Sequence, residues 1–155
     1  MTSSPAPETI EPIRITTRVR RSIDDAFELF ARNTTAWWPL DRFSFDTARS
    51  CEVHLDPFEG GRFYERYQDG DEFQIGDVLR WEPPSRLTFT WKHHDWAAPT
   101  EIDVVFTAEQ ATVTRVELEH RAWERLGPLG RKNRDGYANG WPAVLSCYTT
   151  LAGAA

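Results

Sequence analysis

Sulfur-containing side chains are scarce in this sequence of 155 residues, which has one methionine and two cysteines. Cys51 and Cys147 are far apart and form no CxxC pair. This spacing favours free thiols in a reducing cytosol over a disulfide, although the pairing of the two residues is left open. No apolar run reaches the ~18 residues of a membrane-spanning helix. The sequence therefore predicts neither a disulfide scaffold nor a membrane partner.

Positive charge is also in short supply. Lysine and arginine together number 18, against 24 aspartates and glutamates, which gives a net charge of −6. An acidic chain has little electrostatic attraction to phosphate backbones, so we expect no nucleic-acid partner.

The first residues lack the apolar core of a signal peptide. Residues 1–11 are instead rich in serine, proline, threonine and glutamate, which is typical of a disordered tail. We therefore expect a cytoplasmic protein whose single domain spans residues 12–155.

Aromatic side chains, in contrast, are abundant. Nine phenylalanines, seven tryptophans and four tyrosines make up 13% of the chain. This is more ring volume than a small core needs, so the rings either pack a core or line a cavity.

Hydrophobic periodicity predicts one strand, a short helical region, six more strands and a long final helix. Residues 13–19 alternate as a strand with one wet face. Ser22, followed by Asp25, resembles a helix N-terminus; residues 23–32 continue at helical spacing, and Pro39 ends a further short turn. The six later strands are predicted at residues 51–55, 62–67, 73–81, 87–91, 101–106 and 112–120.

The end of the chain combines a basic segment with a helical pattern. Residues 121–136 contain five basic residues, three glycines and a proline, and predict a basic loop, with a short helix within it left open. A solvated loop is favoured, and the alternatives are a surface for an anionic ligand or partner and a lid over a cavity mouth. From Tyr137 to Leu151 the apolar residues recur at helical spacing. Pro142 is expected to kink this helix or to mark its first turn.

Short connections predict that the later strands pair as an antiparallel meander with one apolar face. The C-terminal helix is the only element long enough to cover that face. The predicted fold class is therefore α+β: a seven-stranded antiparallel curved sheet wrapped around the long C-terminal helix, with two short helices between strands one and two. A space between sheet and helix is where a small ligand would bind.

Strand alternation places two polar side chains on the inner face. Glu65 shares its face with Phe63 and Tyr67, and His120 follows Leu118 near the end of its strand. A buried carboxylate must be paired, hydrogen-bonded or neutral. The two residues are candidates for structural or ligand-orienting roles and, as the alternative, for general acid–base catalysis.

The same alternation, together with the helical spacing, predicts which side chains bind a ligand. They are Trp38, Phe63, Glu65, Tyr67, Phe89, Trp91, Leu118, His120, Trp141, Leu145 and Tyr148. Plain core packing is the alternative for each of the rings.

Three consecutive residues, His93, His94 and Asp95, are of metal-ligating types. Adjacent side chains on a strand or loop are expected to point apart, and no second cluster has ligand spacing. No nucleophile motif such as GxSxG is present. The sequence therefore predicts no metal and no cofactor.

Six stretches, in order, give the chain a family resemblance. They cover residues 25–30 with 37–39, 59–65, 76–79 to 83–87, 89–91, 116–120 and 140–145. Spanning roughly residues 13–151, they resemble the SRPBCC superfamily, the helix-grip fold of START-type lipid carriers and the birch pollen allergen. Within it, the chain resembles the subgroup named after the C-terminal domain of the activator of heat-shock-protein-90 ATPase.

The resemblance implies three kinds of function. The first is binding of a small hydrophobic or aromatic molecule between sheet and helix, with no assigned reaction. The second is an enzyme like the polyketide cyclases and aromatases, or a hydrolase, using Glu65 and His120 in the same cavity. The third is a co-chaperone module that stimulates a heat-shock-protein ATPase. The namesake activator acts together with a separate N-terminal domain. We expect no room for such a domain in these 155 residues, so the chaperone is the least favoured partner. A homodimer is left open.

Overall fold

The computed structural model describes residues 9–155, without the side chains of residues 50 and 51. The pairing of Cys51 and most of the predicted tail lie outside the described residues and stay predictions. The elements are β1 Ile13–Val19, α1 Ile23–Phe27, a π-helical turn Glu28–Arg32, α2 Thr34–Trp37, α3 Leu40–Phe43, β2 Ser50–Leu55, β3 Arg62–Tyr67, β4 Glu72–Glu82, β5 Arg86–Trp91, β6 Thr100–Gln110, β7 Val113–Arg121, a 3₁₀ segment Trp123–Leu129 and α4 Gly130–Ala152.

All seven strands form one antiparallel sheet in the order β1-β7-β6-β5-β4-β3-β2. The strands from β2 to β7 pair with their neighbours in sequence. β1 pairs with β7, so that Ile13 lies opposite His120 and Val19 opposite Thr114. The sheet curls around α4, which confirms the predicted α+β helix-grip architecture.

α1 begins where its capping residue predicts. The Ser22 hydroxyl accepts a hydrogen bond from the backbone N–H of Asp25 at 3.2 Å. The chain then widens into the π-helical turn, in which the N–H of Asn33 donates to the carbonyl of Glu28 at 3.1 Å. The predicted helical region at residues 23–32 is confirmed, although its second half is not α-helical.

α4 begins earlier than its apolar periodicity predicts. The helix starts at Gly130, directly after the 3₁₀ segment, so residues 123–136 are helical rather than a loop, and the helix is longer than the short one that the sequence left open. A Cβ atom on residue 130 would lie 2.4 Å from the carbonyl oxygen of Trp123, so only glycine allows this close approach. Lys132 therefore extends from the first turn of a helix, and Pro142 lies inside α4 rather than in its first turn.

α4 is also the longest helix, with 23 residues. Its buried face includes Trp141, Val144, Leu145 and Tyr148, and the rest of the helix is largely polar or small. Across residues 9–155, no helix combines the length and the apolar character that crossing a bilayer requires.

The described part of the predicted tail packs against α4. Ile10 is buried, and its Cδ1 would lie 2.8 Å from a Cβ on Gly130. The guanidinium of Arg134 donates to the backbone carbonyl of Glu11 at 3.0 Å. These contacts join the start of the described chain to the first turns of α4.

A bulge interrupts the ladder between β3 and β4. The register shifts between Phe63 and Tyr64, which leaves an extra residue next to Gly76. A bulge reverses the alternation that follows it. Asp77 is therefore exposed and Val78 buried, whereas uninterrupted alternation would have placed Asp77 inside.

One group of the abundant rings packs a solid core between the helices and the sheet. Phe30 lies among Trp37, Phe106 and Tyr148, with ring centroids 4.9, 5.7 and 5.2 Å away. The Tyr148 hydroxyl is satisfied as well, since it donates to the carbonyl of Ala26 at 2.8 Å. A second group of rings surrounds empty space at the other half of α4.

Candidate ligand cavity

A cavity of about 530 Å³ opens between α3, the end of β5 and the first half of α4. Its volume lies within the roughly 300–1,000 Å³ that is typical of small-molecule sites. The lining residues are Trp38, Arg42, Phe43, Ser44, Phe45, Trp91, His93, Lys132, Asn133, Gly136, Tyr137, Gly140, Trp141 and Val144.

Three tryptophans form the buried wall of the cavity. The rings of Trp38 and Trp91 are stacked, with centroids 6.0 Å apart and planes at 28°, and Trp141 meets Trp38 edge to face at 5.9 Å. The indole N–H of Trp91 donates to the hydroxyl oxygen of Tyr137 at 2.9 Å. An indole nitrogen only donates, so the hydroxyl hydrogen of Tyr137 is left for another acceptor.

His120 lies behind this wall and is fully buried. Its Nδ1 accepts a hydrogen bond from the indole N–H of Trp141 at 3.0 Å, and its Nε2 lies 2.8 Å from the Thr100 hydroxyl. Since Nδ1 accepts, the neutral ring carries its proton on Nε2 and donates it to Thr100, which in turn donates to the carbonyl of Trp91 at 2.8 Å. Burial lowers the pKa of His120 to about 3. The ring is therefore neutral, and both of its nitrogens are engaged.

Glu65 lies beneath the segment that follows α3. The hydroxyls of Ser44 and Tyr67 donate to one carboxylate oxygen at 3.0 and 2.9 Å, and the N–H of Phe45 lies 3.2 Å from both oxygens. Burial raises the pKa of Glu65, and the hydrogen bonds from Tyr67, Ser44 and Phe45 oppose that rise without cancelling it. The carboxyl group thus holds Ser44 and Phe45, both of which line the cavity.

Three of the side chains predicted to bind a ligand line the cavity: Trp38, Trp91 and Trp141. Tyr67 lines a smaller neighbouring cleft of about 300 Å³ instead. The other predicted residues are buried and line neither space, namely Phe63, Glu65, Phe89, Leu118, His120, Leu145 and Tyr148. Their roles stay predictions, and neither Glu65 nor His120 lines the cavity or the cleft. Alternation identifies the inner face of a sheet, but not where the helix leaves space above it.

Sequence reasoning missed the lining residues from α3 and the first half of α4. On α4, Asn133, Tyr137, Gly140 and Val144 lie at i, i+4, i+7 and i+11, so their common face becomes visible once the helix is extended towards its true start. The residues from 42 to 45 carry no periodic signal, and only their contacts across the fold place them at the cavity.

His93 and His94 lie side by side in the loop after β5, His93 at the cavity and His94 at the cleft. Their ring centroids are 4.2 Å apart, and their donor atoms and those of Asp95 lie within 4.8 Å of one another. The expectation that these side chains point apart is therefore wrong, because the loop turns here instead of running extended. Burial, and to a lesser extent His94, lowers the pKa of His93. No metal is assigned to this solvent-facing group.

A curled antiparallel sheet that grips one long helix, with a cavity between helix and sheet end, defines a helix-grip protein of the SRPBCC type. The sequence matches the model of the Activator of Hsp90 ATPase homolog 1-like protein family over residues 20–151, and the chain belongs to this family. The family resemblance that the sequence motifs predict is confirmed.

Several solved structures share this fold. The anthrahydroquino-gamma-pyrone synthase Txn09, complexed with SUM, is 31% identical, covers 94% of this chain and 99% of its own, and has a TM-score of 0.63. CalC, a self-sacrificing resistance protein from Micromonospora echinospora, is 27% identical over 91% of this chain and 93% of its own, with a TM-score of 0.68. PFC0360w, an Hsp90 activator from Plasmodium falciparum, is 20% identical over 93% of this chain and 97% of its own, with a TM-score of 0.65, which shows the fold alone. No curated protein matches the sequence.

Proposed function

We propose that the protein binds a small planar aromatic molecule in the cavity bounded by Trp38, Trp91, Tyr137 and Trp141. The observation that carries this proposal is the composition of the wall, in which indole and phenol rings converge on one cavity. Each ring that meets an aromatic guest edge to face or offset-stacked contributes about 0.5–1.5 kcal/mol beyond the area it buries.

Helix α4, which closes the cavity, supports the proposal, because it has glycines at two positions where larger side chains would fill the space. A Cβ on Gly136 would meet nothing within 4 Å, and one on Gly140, a turn later, would only touch Phe43 at 3.5 Å. A glycine inside a helix costs about 1 kcal/mol relative to alanine. The two glycines therefore keep the cavity open at some expense in helix stability.

The relatives agree with an aromatic ligand more readily than with a chaperone role. The name of Txn09 describes the synthesis of a fused aromatic compound, and it shares 31% identity over nearly the whole chain. A chaperone role would rest on a likeness at 20% identity. An acid–base reaction would need Glu65 and His120 at one cavity, and no contact supports this. We therefore propose binding without an assigned reaction.

Titration with a neutral anthraquinone carboxamide tests the proposal, with quenching of tryptophan fluorescence and the melting temperature as readouts. The wild-type protein and Gly136→Ala should both bind the probe. Gly136→Phe should lose at least about tenfold in affinity, because its ring enters the cavity. Gly136 is exposed and has open space around it, so both variants should fold.

Two results would overturn the proposal. One is the absence of quenching and thermal shift across a broad aromatic and lipid panel, measured on wild-type protein freed of carried ligand. The other is a folded Gly136→Phe variant that binds the probe as tightly as Gly136→Ala does.

A further inference from the structure

The cavity lining is positively charged, although the chain as a whole is acidic. The protein has a net charge of −6, yet the cavity lining contains Arg42 and Lys132 and no carboxylate. A local surplus of positive charge on an acidic protein favours a negatively charged ligand at that point.

Neither cation is neutralised by a neighbour. Across residues 9–155, Arg42 and Lys132 form no ion pair; the guanidinium of Arg42 instead lies 5.6 Å from the ring of Phe43. Other arginines differ, since Arg49 meets three carboxylates and Arg86 forms two hydrogen bonds with one. The cavity cations are therefore available to a ligand.

The position of the two cations relative to the rings is also informative. Arg42 and Lys132 are exposed, whereas Trp38, Trp91 and Trp141 are 8%, 4% and 3% exposed. The aromatic wall thus lies deep in the cavity, and the two charges lie at its mouth, one on α3 and the other on the first turn of α4.

One uncharged donor joins the two cations, whereas the amide of Asn133 already donates to the carbonyl of Leu129 at 2.9 Å. The hydroxyl hydrogen of Tyr137 has no acceptor among the described residues, since its oxygen accepts from Trp91. Burial raises the pKa of Tyr137, so the hydroxyl stays protonated at neutral pH. The hydroxyl of Ser44, in contrast, already donates to Glu65. The free groups at the cavity therefore include three donors, of which two are charged, and no acidic acceptor.

From this arrangement we infer that the ligand is an aromatic acid: its ring system lies among the tryptophans, its anionic oxygen lies between Arg42 and Lys132, and a ring oxygen accepts from Tyr137. This inference rests on the proposed function and names its ligand class. Carboxylates and acidic phenols share the required chemistry, an anionic oxygen on an aromatic frame.

Paired probes separate the two proposals. Three probes are used: anthraquinone carboxylate, anthraquinone carboxamide and a hydroxyanthraquinone at a pH where it is ionised. Each probe should be titrated against the wild type, the double variant Arg42→Gln/Lys132→Gln and the control Arg20→Gln. Arg20 is exposed and its backbone N–H bonds to Gly153, beyond the opposite end of α4. The control removes one positive charge far from the cavity.

We expect the wild type and the control to bind the carboxylate about tenfold more tightly than the carboxamide, with the difference shrinking as salt is added. The double variant should bring the two probes to within about threefold of each other. Stronger binding of the ionised phenol than of the carboxylate would still support the inference and identify the phenolate as the preferred anion.

Equal affinities of the wild type for all three probes would overturn this inference and leave the proposed function standing. A folded double variant that keeps the full preference for the carboxylate would also overturn it, because the selectivity would then come from other groups. Binding of none of the probes would overturn both proposals.

Discussion

The indole N–H of Trp141 donates to Nδ1 of His120 at 3.0 Å, so a tryptophan of the cavity wall is oriented by a buried histidine that does not line the cavity. His120 is oriented in turn by Thr100, whose hydroxyl lies 2.8 Å from Nε2 and donates onward to the carbonyl of Trp91. One buried network thus connects two of the tryptophans that form the wall. The role that this geometry favours for His120 is positioning of the wall.

The first prediction concerns the protonation of His120. Its ring should stay neutral, with the proton on Nε2, well below the usual pKa of 6.5, because burial lowers its pKa to about 3. An unfolded chain binds this proton near 6.5, so the stability that His120 contributes is complete above that pH and is lost as the pH falls towards 3. Nitrogen chemical shifts of the imidazole ring measure this directly. An imidazolium signal from His120 at about pH 5 would contradict the prediction.

Glu65 should produce a dependence of the opposite sign. Burial raises its pKa in the folded protein, so the folded state binds the proton more tightly than the unfolded chain does. Its contribution to stability therefore falls as the pH rises from the ordinary value of 4.5 through the folded pKa. Relative to wild type, Glu65→Gln should become progressively more favourable over that range, in denaturant unfolding between roughly pH 4 and pH 7. A difference in unfolding free energy that is constant with pH would exclude the effect.

Asp103 provides a test of stability away from the cavity. Burial by itself would raise the pKa of Asp103, but hydrogen bonds from Arg86 and Thr88 and the charge of Arg121 outweigh it and lower the pKa. Its two oxygens accept from the Arg86 guanidinium at 3.0 and 2.9 Å. Asp103→Ala should cost about 1.5–3 kcal/mol, because the buried Thr88 hydroxyl and the partly exposed Arg86 guanidinium lose a charged hydrogen-bond acceptor.

The matched control for this substitution is on the same strand. Glu101 pairs with the exposed guanidinium of Arg125 at 3.0 Å. Glu101→Ala should cost less than about 1 kcal/mol, as is typical of a surface pair. Similar losses for the two alanine variants in urea unfolding would contradict the importance assigned to burial at Asp103.

Two glycine-to-alanine changes should have opposite effects on stability. A Cβ on Gly76 would lie 1.8 Å from the carbonyl oxygen of Thr90, which is backbone and cannot yield easily. Gly76→Ala should therefore destabilise the protein by more than about 3 kcal/mol. Gly136→Ala meets open space inside a helix and should stabilise by about 1 kcal/mol. Thermal unfolding of both variants checks the sign, and a neutral Gly76→Ala would show that the bulge in β4 can rearrange.

Much of the fold was predictable because its signals are local. The alternation of residues 13–19 and the turns between the later strands determine the strands themselves, and short connections make neighbours pair. The inward positions of Glu65 and His120 follow from the same period of two, and both side chains are buried. Ser22 correctly marked the start of α1 through a hydrogen bond that spans only three residues.

The sequence by itself thus determined the sheet, the gripped helix and the family, since these depend on periodicity and on motifs contiguous in the chain. Only the tertiary structure decided where space is left. Arg42 and Lys132, ninety positions apart, reach one cavity because α3 and α4 meet across it. Residue 130 must be glycine because the carbonyl of Trp123 lies against it, and the bulge next to Gly76 turns Asp77 outward. A cavity is the space left between elements that are distant in the sequence, and a local sequence pattern carries no information about that space.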